Sequence, residues 1–125
     1  MESEIQINPL YIDGLSGLND YSHVLVFFYM DGYKDTNEGW KRKPRGLVDL
    51  AEIGCFAQRT KYRPNRIGLS TVKIVSIEGD LIKVRGLDAN DGTIVLDIKP
   101  YIYEFDVRVD VKVPNWMNEL MQDYF

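Results

Sequence analysis

The feature that most constrains the fold of this 125-residue chain is an uninterrupted apolar run, Val-Leu-Val-Phe-Phe-Tyr, at residues 24–29. β-Branched and aromatic residues dominate the run, and these residue types favour strands. A strand made only of apolar side chains is typical of one that is buried on both faces. The run is also far shorter than the roughly 20 residues that span a bilayer. It therefore predicts an interior strand of a folded domain.

Further strand patterns follow this run. Residues 69–77 and 81–86 flank a Glu-Gly-Asp turn, which predicts a tight hairpin. Residues 93–98 predict a short strand that stops at Pro100. In residues 105–113, apolar and charged side chains alternate almost perfectly, as in a strand with one buried and one wet face.

Helix patterns are fewer. Residues 13–21 allow a turn or a short helix, and apolar side chains after Pro114 follow a helical spacing with Asn115 as a possible cap. Residues 34–48, which contain Gly and Pro, indicate a long loop. We therefore expect a mainly β fold, in which residues 1–125 form one domain: a small β-barrel with a short C-terminal helix.

Composition narrows the class of protein. Cys55 is the only cysteine, which excludes an internal disulfide and fits a reducing compartment. Glu2 and Glu4 stand where a signal peptide would carry basic residues. With a single histidine, His23, the chain has no set of ligands with zinc spacing. These features predict a cytoplasmic protein without a membrane or metal partner.

The net charge of −4 is distributed unevenly. Residues 41–66 contain eight Lys or Arg and two acids, a net charge of +6, whereas the other residues carry −10. Concentrated positive charge on an acidic chain is typical of a polyanion site, although a solvated loop would also explain it. Tyr62 lies among these bases, where an aromatic ring could stack on a nucleobase.

Four motifs carry a family resemblance. Residues 15–24 resemble Leu-x-Gly-Leu…Phe-Ser-His-Leu, and residues 44–46 read Pro-Arg-Gly. Residues 54–70 are similar to Gly-Val-Phe-Ala-Thr-Arg-Ser-x-x-Arg-Pro-Asn-x-Ile-Gly-Leu-Ser. Residues 88–101 are similar to Asp-x-x-Asp-Gly-Thr-Pro-Val-Leu-Asp-Ile-Lys-Pro-Tyr. Together they resemble the TsaA-like (TrmO) family of S-adenosylmethionine-dependent methyltransferases, over about residues 10–106.

The resemblance implies a compact β-barrel that acts as a homodimer, with a cofactor pocket for S-adenosylmethionine (SAM) near the subunit interface. It also implies methylation of tRNA at N6 of threonylcarbamoyladenosine, beside the anticodon. Family members usually begin with a further strand and a Pro-Arg-Gln segment that helps to enclose the cofactor. The resemblance implies that this sequence starts after that point. We expect the difference to affect catalysis more than cofactor binding.

The resemblance also implies which residues contact the cofactor. Arg59 could pair with the cofactor carboxylate, for which a guanidinium is a better partner than an ammonium. Leu69 could form an apolar wall beside the adenine. The alternative for Arg59 is a structural ion pair, and the alternative for Leu69 is a position in the core. For Asp91 and Gly92 the alternative is a hairpin turn. The cofactor-binding candidates are Asp31, Gly32, Arg59, Leu69, Asn90, Asp91, Gly92 and Thr93.

Catalytic and RNA-binding candidates come from the same motifs. Asp97 and Tyr101 should share one face of an extended segment, where either could accept a proton from the attacking nitrogen. A structural pair of Asp97 with Lys99 or Arg63 is an equal alternative. Basic and amide side chains that could reach phosphates are Arg45, Lys61, Arg63, Asn65, Arg66 and Lys99.

Four functions remain open from the sequence. The first is a SAM-dependent tRNA methyltransferase. The second is a SAM-binding protein without catalysis. The third is a methyltransferase of the same fold that acts on a small metabolite. The fourth is a β-barrel RNA-binding module without cofactor, against which the Asn-Asp-Gly-Thr motif at residues 90–93 argues.

Overall fold

The computed structural model of the protein describes residues 1–30, 39–44 and 50–122. The strands are β1 Glu2–Gln6, β2 His23–Tyr29, β3 Lys41–Arg42, β4 Ile53–Gly54, β5 Ile67–Glu78, β6 Leu81–Arg85 and β7 Val95–Pro100. The helices are α1 Tyr103–Asp106 and α2 Asn115–Gln122, with 3₁₀ helices at Pro9–Leu15, Leu18–Asp20 and Cys55–Ala57.

Five strands form one antiparallel sheet in the spatial order β1-β6-β5-β2-β7. The strands β3 and β4 pair separately. In the part of the chain that the structure describes, β1 and β7 are the two edges of an open sheet. The predicted barrel is therefore not confirmed, although the mainly β fold with short helices is.

One face of the sheet forms the core. Alternate side chains of β2 point to it because successive residues of a strand face opposite ways. The buried cluster consists of Ile5, Val24, Val26, Phe28, Val72, Ile82 and Val84. Leu15, Leu18 and Leu87, from segments outside the strands, pack against this cluster. We call this side the inner face and the opposite side the outer face.

The run at residues 24–29 is the interior strand that the sequence predicts, but only one of its faces is buried. Leu25, Phe27 and Tyr29 on the outer face are half-buried. The strand has hydrogen-bonded neighbours on both sides, so it lies in the interior of the sheet. Its outer-face side chains are apolar although they are only half-buried. The outer-face side chains of β2 therefore keep partial access to solvent.

The hairpin and both helical predictions are confirmed. The strands β5 and β6 are joined at Gly79, whose φ of +62° is a conformation that glycine adopts without steric cost. The segment predicted as a turn or short helix contains 3₁₀ helices. Helix α2 begins at Asn115, directly after Pro114. Most of the predicted loop at residues 34–48 lies outside the described residues.

The strand predicted at residues 105–113 is wrong. Tyr103–Asp106 is a helix that begins soon after β7 ends, and residues 107–114 are irregular. Asp110 has a φ of +56°, which breaks an extended conformation. Val109 and Val111 are exposed. Alternation alone does not make a strand, because a strand also needs a neighbour for its backbone hydrogen bonds, and none of the described strands pairs here.

Candidate functional site

The register of the sheet brings distant residues of the sequence together on the outer face. Leu69 of β5 lies opposite Phe27 of β2, and Phe27 lies opposite Asp97 of β7. The next row on the same face contains Leu25 opposite Lys99. Directly opposite residues of antiparallel strands point to the same side. Leu69, the predicted apolar wall, and Asp97, a predicted proton acceptor, therefore lie on either side of Phe27.

Asp97 uses both carboxylate oxygens within the chain. Its Oδ2 lies 3.3 Å from the Lys99 Nζ, and its Oδ1 accepts a hydrogen bond of 2.7 Å from the Ile98 backbone N–H. Both charged side chains are more than half exposed, so solvent screens the pair and it contributes little to stability. The structure thus contains the Asp97–Lys99 pair rather than an Asp97–Arg63 pair.

Tyr101 lies two rows from Asp97 along the same face. Its backbone N–H donates 3.0 Å to the carbonyl of His23, and the two rings meet edge-on with centroids 6.2 Å apart. The His23 Nδ1 lies 2.6 Å from the Ser22 Oγ. These contacts with Ser22 and Tyr101 give His23 a structural environment.

The Asn-Asp-Gly-Thr motif forms a turn. The backbone N–H of Thr93 donates 3.2 Å to the carbonyl of Asn90, and Gly92 adopts a φ of +82°. Asn90, Asp91 and Gly92 are exposed and Thr93 is half-buried. A Cβ at Gly92 would meet nothing within 4 Å. Glycine is therefore required here by backbone conformation, and the space above it is open to a ligand.

The turn lies beside the end of β2. The backbone N–H of Tyr29 donates 2.9 Å to the carbonyl of Ile94, which follows the turn. The N–H of the next residue, Met30, donates 2.8 Å to the carbonyl of Arg66. Residues 90–94 and the segment that leads into β5 therefore meet at one end of the sheet. We call this region the β2 end.

A small basic unit, residues 39–44 and 50–66, precedes β5. Its two short strands are joined by the Gln58 side chain, whose Nε2 donates 3.0 Å to the Arg42 carbonyl and 2.9 Å to the Ile53 carbonyl. The Trp40 ring lies 5.3 Å from the Tyr62 ring, and the Arg42 guanidinium lies 4.1 Å from the centroid of the latter. The predicted base-stacking role of Tyr62 does not fit, because this ring is buried.

The Arg-Pro-Asn-Arg loop of this unit uses its side chains on its own backbone. The Arg63 guanidinium donates to the carbonyls of Gln58 and Thr60. The Asn65 Oδ1 accepts 3.0 Å from the Ile67 N–H. Arg66, rather than Asn65, adopts the left-handed conformation, with a φ of +54°. These contacts give the loop a fixed shape.

Among the described residues, the structure does not bring the other candidates into contact with the turn at residues 90–93. Arg59 and Lys61 are exposed on the basic unit, and no contact within the described residues connects them to the turn. Asp31, Gly32 and Arg45 lie outside the described residues. No group of three or more potential metal ligands and no helix able to cross a membrane is found in residues 1–30, 39–44 and 50–122.

Sequence reasoning missed three aromatic residues near these candidates. Phe27 lies between Leu69 and Asp97, and Trp40 and Phe56 are exposed on the basic unit. The interleaving of Trp40 and Phe56 with Lys and Arg was visible in the sequence. Phe27 had no comparable signal, because its neighbours depend on the strand register.

Comparisons with known proteins identify the family and support the fold. The family described as the tRNA-methyltransferase O N-terminal domain matches residues 1–107. The chain belongs to this family. In structure it is similar to TrmO from Pseudomonas aeruginosa, with a TM-score of 0.72 and 32% sequence identity over 92% of this chain and 47% of that one.

Curated relatives include proteins from archaea and mammals. A probable S-adenosyl-L-methionine-binding protein of Pyrococcus abyssi is 33% identical over 95% of this chain and 62% of its own length. An S-adenosyl-L-methionine-binding protein of Archaeoglobus fulgidus is 41% identical over 83% of this chain and 72% of its own length. The tRNA (adenine(37)-N6)-methyltransferase of Mus musculus is 40% identical over 81% of this chain but 23% of its own length. The chain thus corresponds to only part of several longer relatives.

Proposed function

We propose that this chain binds S-adenosylmethionine and methylates tRNA at N6 of threonylcarbamoyladenosine beside the anticodon. The observation that carries the proposal is the assembly of Leu69, Asp97 and the turn at residues 90–93 along and beside β2. Membership of the tRNA-methyltransferase O family and relatives named for SAM binding support it.

The chemistry of the β2 end fits the cofactor. Leu69 and Phe27 offer apolar surface for an adenine. The open space above Gly92 allows a ligand to approach the backbone, and the exposed Asp91 carboxylate can accept hydrogen bonds from ribose hydroxyls or an ammonium group. Arg59 would pair with the methionine carboxylate. When bound, S-adenosylmethionine supplies an electrophilic methyl group.

The chain's own residues must position the acceptor and take up a proton. The N6 lone pair forms the new nitrogen–carbon bond, the carbon–sulfur bond electrons remain on sulfur, and nitrogen releases one proton. Asp97 or Tyr101 would accept that proton on the outer face. Orientation of acceptor and donor would provide the larger part of the rate enhancement in such a transfer, and the proton acceptor would add to it.

The test separates cofactor binding from transfer. SAM is titrated calorimetrically into the wild type and the Asp91→Asn variant, and labelled methyl transfer to a tRNA pool is measured with the same proteins. Replacing the charged acceptor with a neutral amide should weaken binding by about ten- to a hundredfold. Glu78→Gln, at the far end of β5, is the matched control and should bind as the wild type does. Wild-type protein without SAM affinity would overturn the proposal.

A second candidate is SAM binding without methyl transfer. It is favoured by the contacts of Asp97, whose oxygens are engaged by Lys99 and by the Ile98 N–H. Micromolar SAM affinity together with no labelling of any tRNA would support this candidate over the first.

We also propose that the protein is a cytoplasmic homodimer. Trp116, Met117 and Leu120 of α2 would supply apolar contact surface, and a tRNA substrate implies the cytoplasm. Phe125, a further apolar residue after α2 in the sequence, lies outside the described residues. Sedimentation equilibrium at micromolar concentration tests the dimer, and a monomer would overturn it.

A further inference from the structure

The basic unit exposes two large aromatic rings within the most positive segment of the chain. Phe56 is 76% exposed and Trp40 is 46% exposed. Residues 41–66 carry a net charge of +6 in a chain whose net charge is −4. Exposing a large apolar ring to water is unfavourable, so two of them among cations point to a binding surface.

Both rings are held by neighbouring side chains. Trp40 packs on the buried Tyr62 with an interplanar angle of 38°, and Arg42 covers the same tyrosine. The Arg63 guanidinium lies 5.9 Å from the centroid of Phe56 and is itself fixed by backbone carbonyls. Such support lowers the entropy that a ring loses when a ligand stacks on it.

The two aromatic residues are also connected through the backbone. The N–H of Cys55, the residue before Phe56, donates 2.9 Å to the carbonyl of Trp40. The same unit runs through Arg66 to the β2 end.

We propose that Trp40 and Phe56 form a stacking platform for unpaired bases of RNA, with Lys41 and Lys61 as phosphate contacts. The inference rests on the proposed function, and it names how that function's RNA would be held. Stacking of bases on aromatic rings is tolerant of sequence, and nearby cations bind the backbone that connects the bases. The platform therefore selects single-stranded RNA, such as the loop that surrounds an anticodon.

Charge favours this occupant over a protein partner. Lys41, Arg59 and Lys61 are exposed, and Glu52 is the one acid among the described residues of the unit. The bases of a duplex RNA would not stack on the two rings, because they are already stacked on one another. An acidic protein would bind with no preference for unpaired nucleotides. The choice of probe distinguishes these occupants.

The experiment measures fluorescence anisotropy of a labelled anticodon stem-loop RNA with the full chain. In Phe56→Leu and Trp40→Leu, an apolar side chain is retained and the aromatic face is removed. Each should weaken binding by about five- to a hundredfold. Phe105→Leu, the same substitution as at Phe56 on an exposed ring of α1, is the matched control and should have no effect. SAM affinity should be unchanged in all three variants, because none of these rings lies at the proposed cofactor residues.

Salt dependence separates stacking from phosphate contact. Loss of one phosphate contact in Lys61→Ala should reduce the slope of log affinity against log salt by about 0.7, whereas Phe56→Leu should leave the slope unchanged. A blunt-ended duplex without loops should bind the Phe56→Leu variant and the wild type equally.

Intrinsic fluorescence provides a measurement that does not alter the platform. Trp116→Phe leaves Trp40 as the only tryptophan, and stacking of a base should quench its emission when the stem-loop is added. Absence of quenching, or wild-type affinity in Phe56→Leu, overturns the platform while RNA binding and methyl transfer persist. If the wild type binds no RNA at low salt, the proposed function and the platform both fail.

Discussion

The ring of Phe28 lies directly against Gly68: a Cβ added to this glycine would be 2.6 Å from the phenylalanine Cε2. The two residues are opposite each other in β2 and β5, and both are buried. The aromatic ring thus fills the volume that a side chain on the neighbouring strand would need. This pair packs the inner face near the β2 end.

We expect Gly68→Ala to destabilise the fold by about 1–3 kcal/mol, because overpacking forces a buried ring or the backbone to move. The free energy of unfolding is measured by urea titration. Gly54→Ala is the matched control, since a Cβ there meets nothing within 4 Å and the residue's φ of −61° suits alanine. Equal unfolding free energies for the two variants would contradict the packing argument.

Gln58 should control local opening of the basic unit. Gln58→Ala leaves the carbonyls of Arg42 and Ile53 without their side-chain donor and should cost about 1–2 kcal/mol. Hydrogen exchange of the Cys55 amide, which bonds to Trp40, should accelerate, while that of Val26 in the main sheet should change little. Gln122→Ala on α2 is the control, and an equal effect there would refute a specific role.

Arg63 is predicted to stabilise the loop by geometry as well as charge. Its guanidinium donates to two carbonyls and lies over Phe56. The ammonium of a lysine is not planar, so it cannot make the same set of contacts. We therefore expect Arg63→Lys to lower the melting temperature, although the charge is conserved. Lys61→Arg provides the reverse exchange at an exposed site. A wild-type melting temperature for Arg63→Lys would show that only charge matters.

Asp97 should act in transfer rather than in cofactor binding. Asp97→Asn removes a proton acceptor and should lower methyl transfer by about a hundredfold or more at unchanged SAM affinity. Its surface pair predicts that Lys99→Met changes the free energy of unfolding by less than about 1 kcal/mol. Normal transfer by Asp97→Asn would move the proton acceptor to Tyr101, which Tyr101→Phe then tests.

Local chemistry allowed several elements to be predicted from the sequence. The apolar run became the interior strand β2, and Gly79 with its polar neighbours became the hairpin between β5 and β6. The turn at residues 90–93 follows from its Asp-Gly pair. In each case the preference lies in a few consecutive residues, so no distant partner was needed to recognise it.

Residues 105–113 show that local sequence patterns alone do not predict every strand correctly. Their alternation is typical of a strand, yet Phe105 belongs to a helix and Val109 is exposed. An open sheet and a barrel likewise cannot be distinguished from strand patterns, because closure depends on which edges pair. Backbone hydrogen bonds between strands are tertiary interactions, and local propensity does not determine them.

The sequence by itself determined the family, the interior strand and the uneven charge, since these are properties of consecutive residues. Only the tertiary structure decided that Leu69, Phe27 and Asp97 share one face, because strand register sets which side chains are neighbours. It also decided that Tyr62 is buried beneath Trp40 and Arg42, whereas Phe56 is left open. Contacts between residues far apart in the chain depend on how the elements pack.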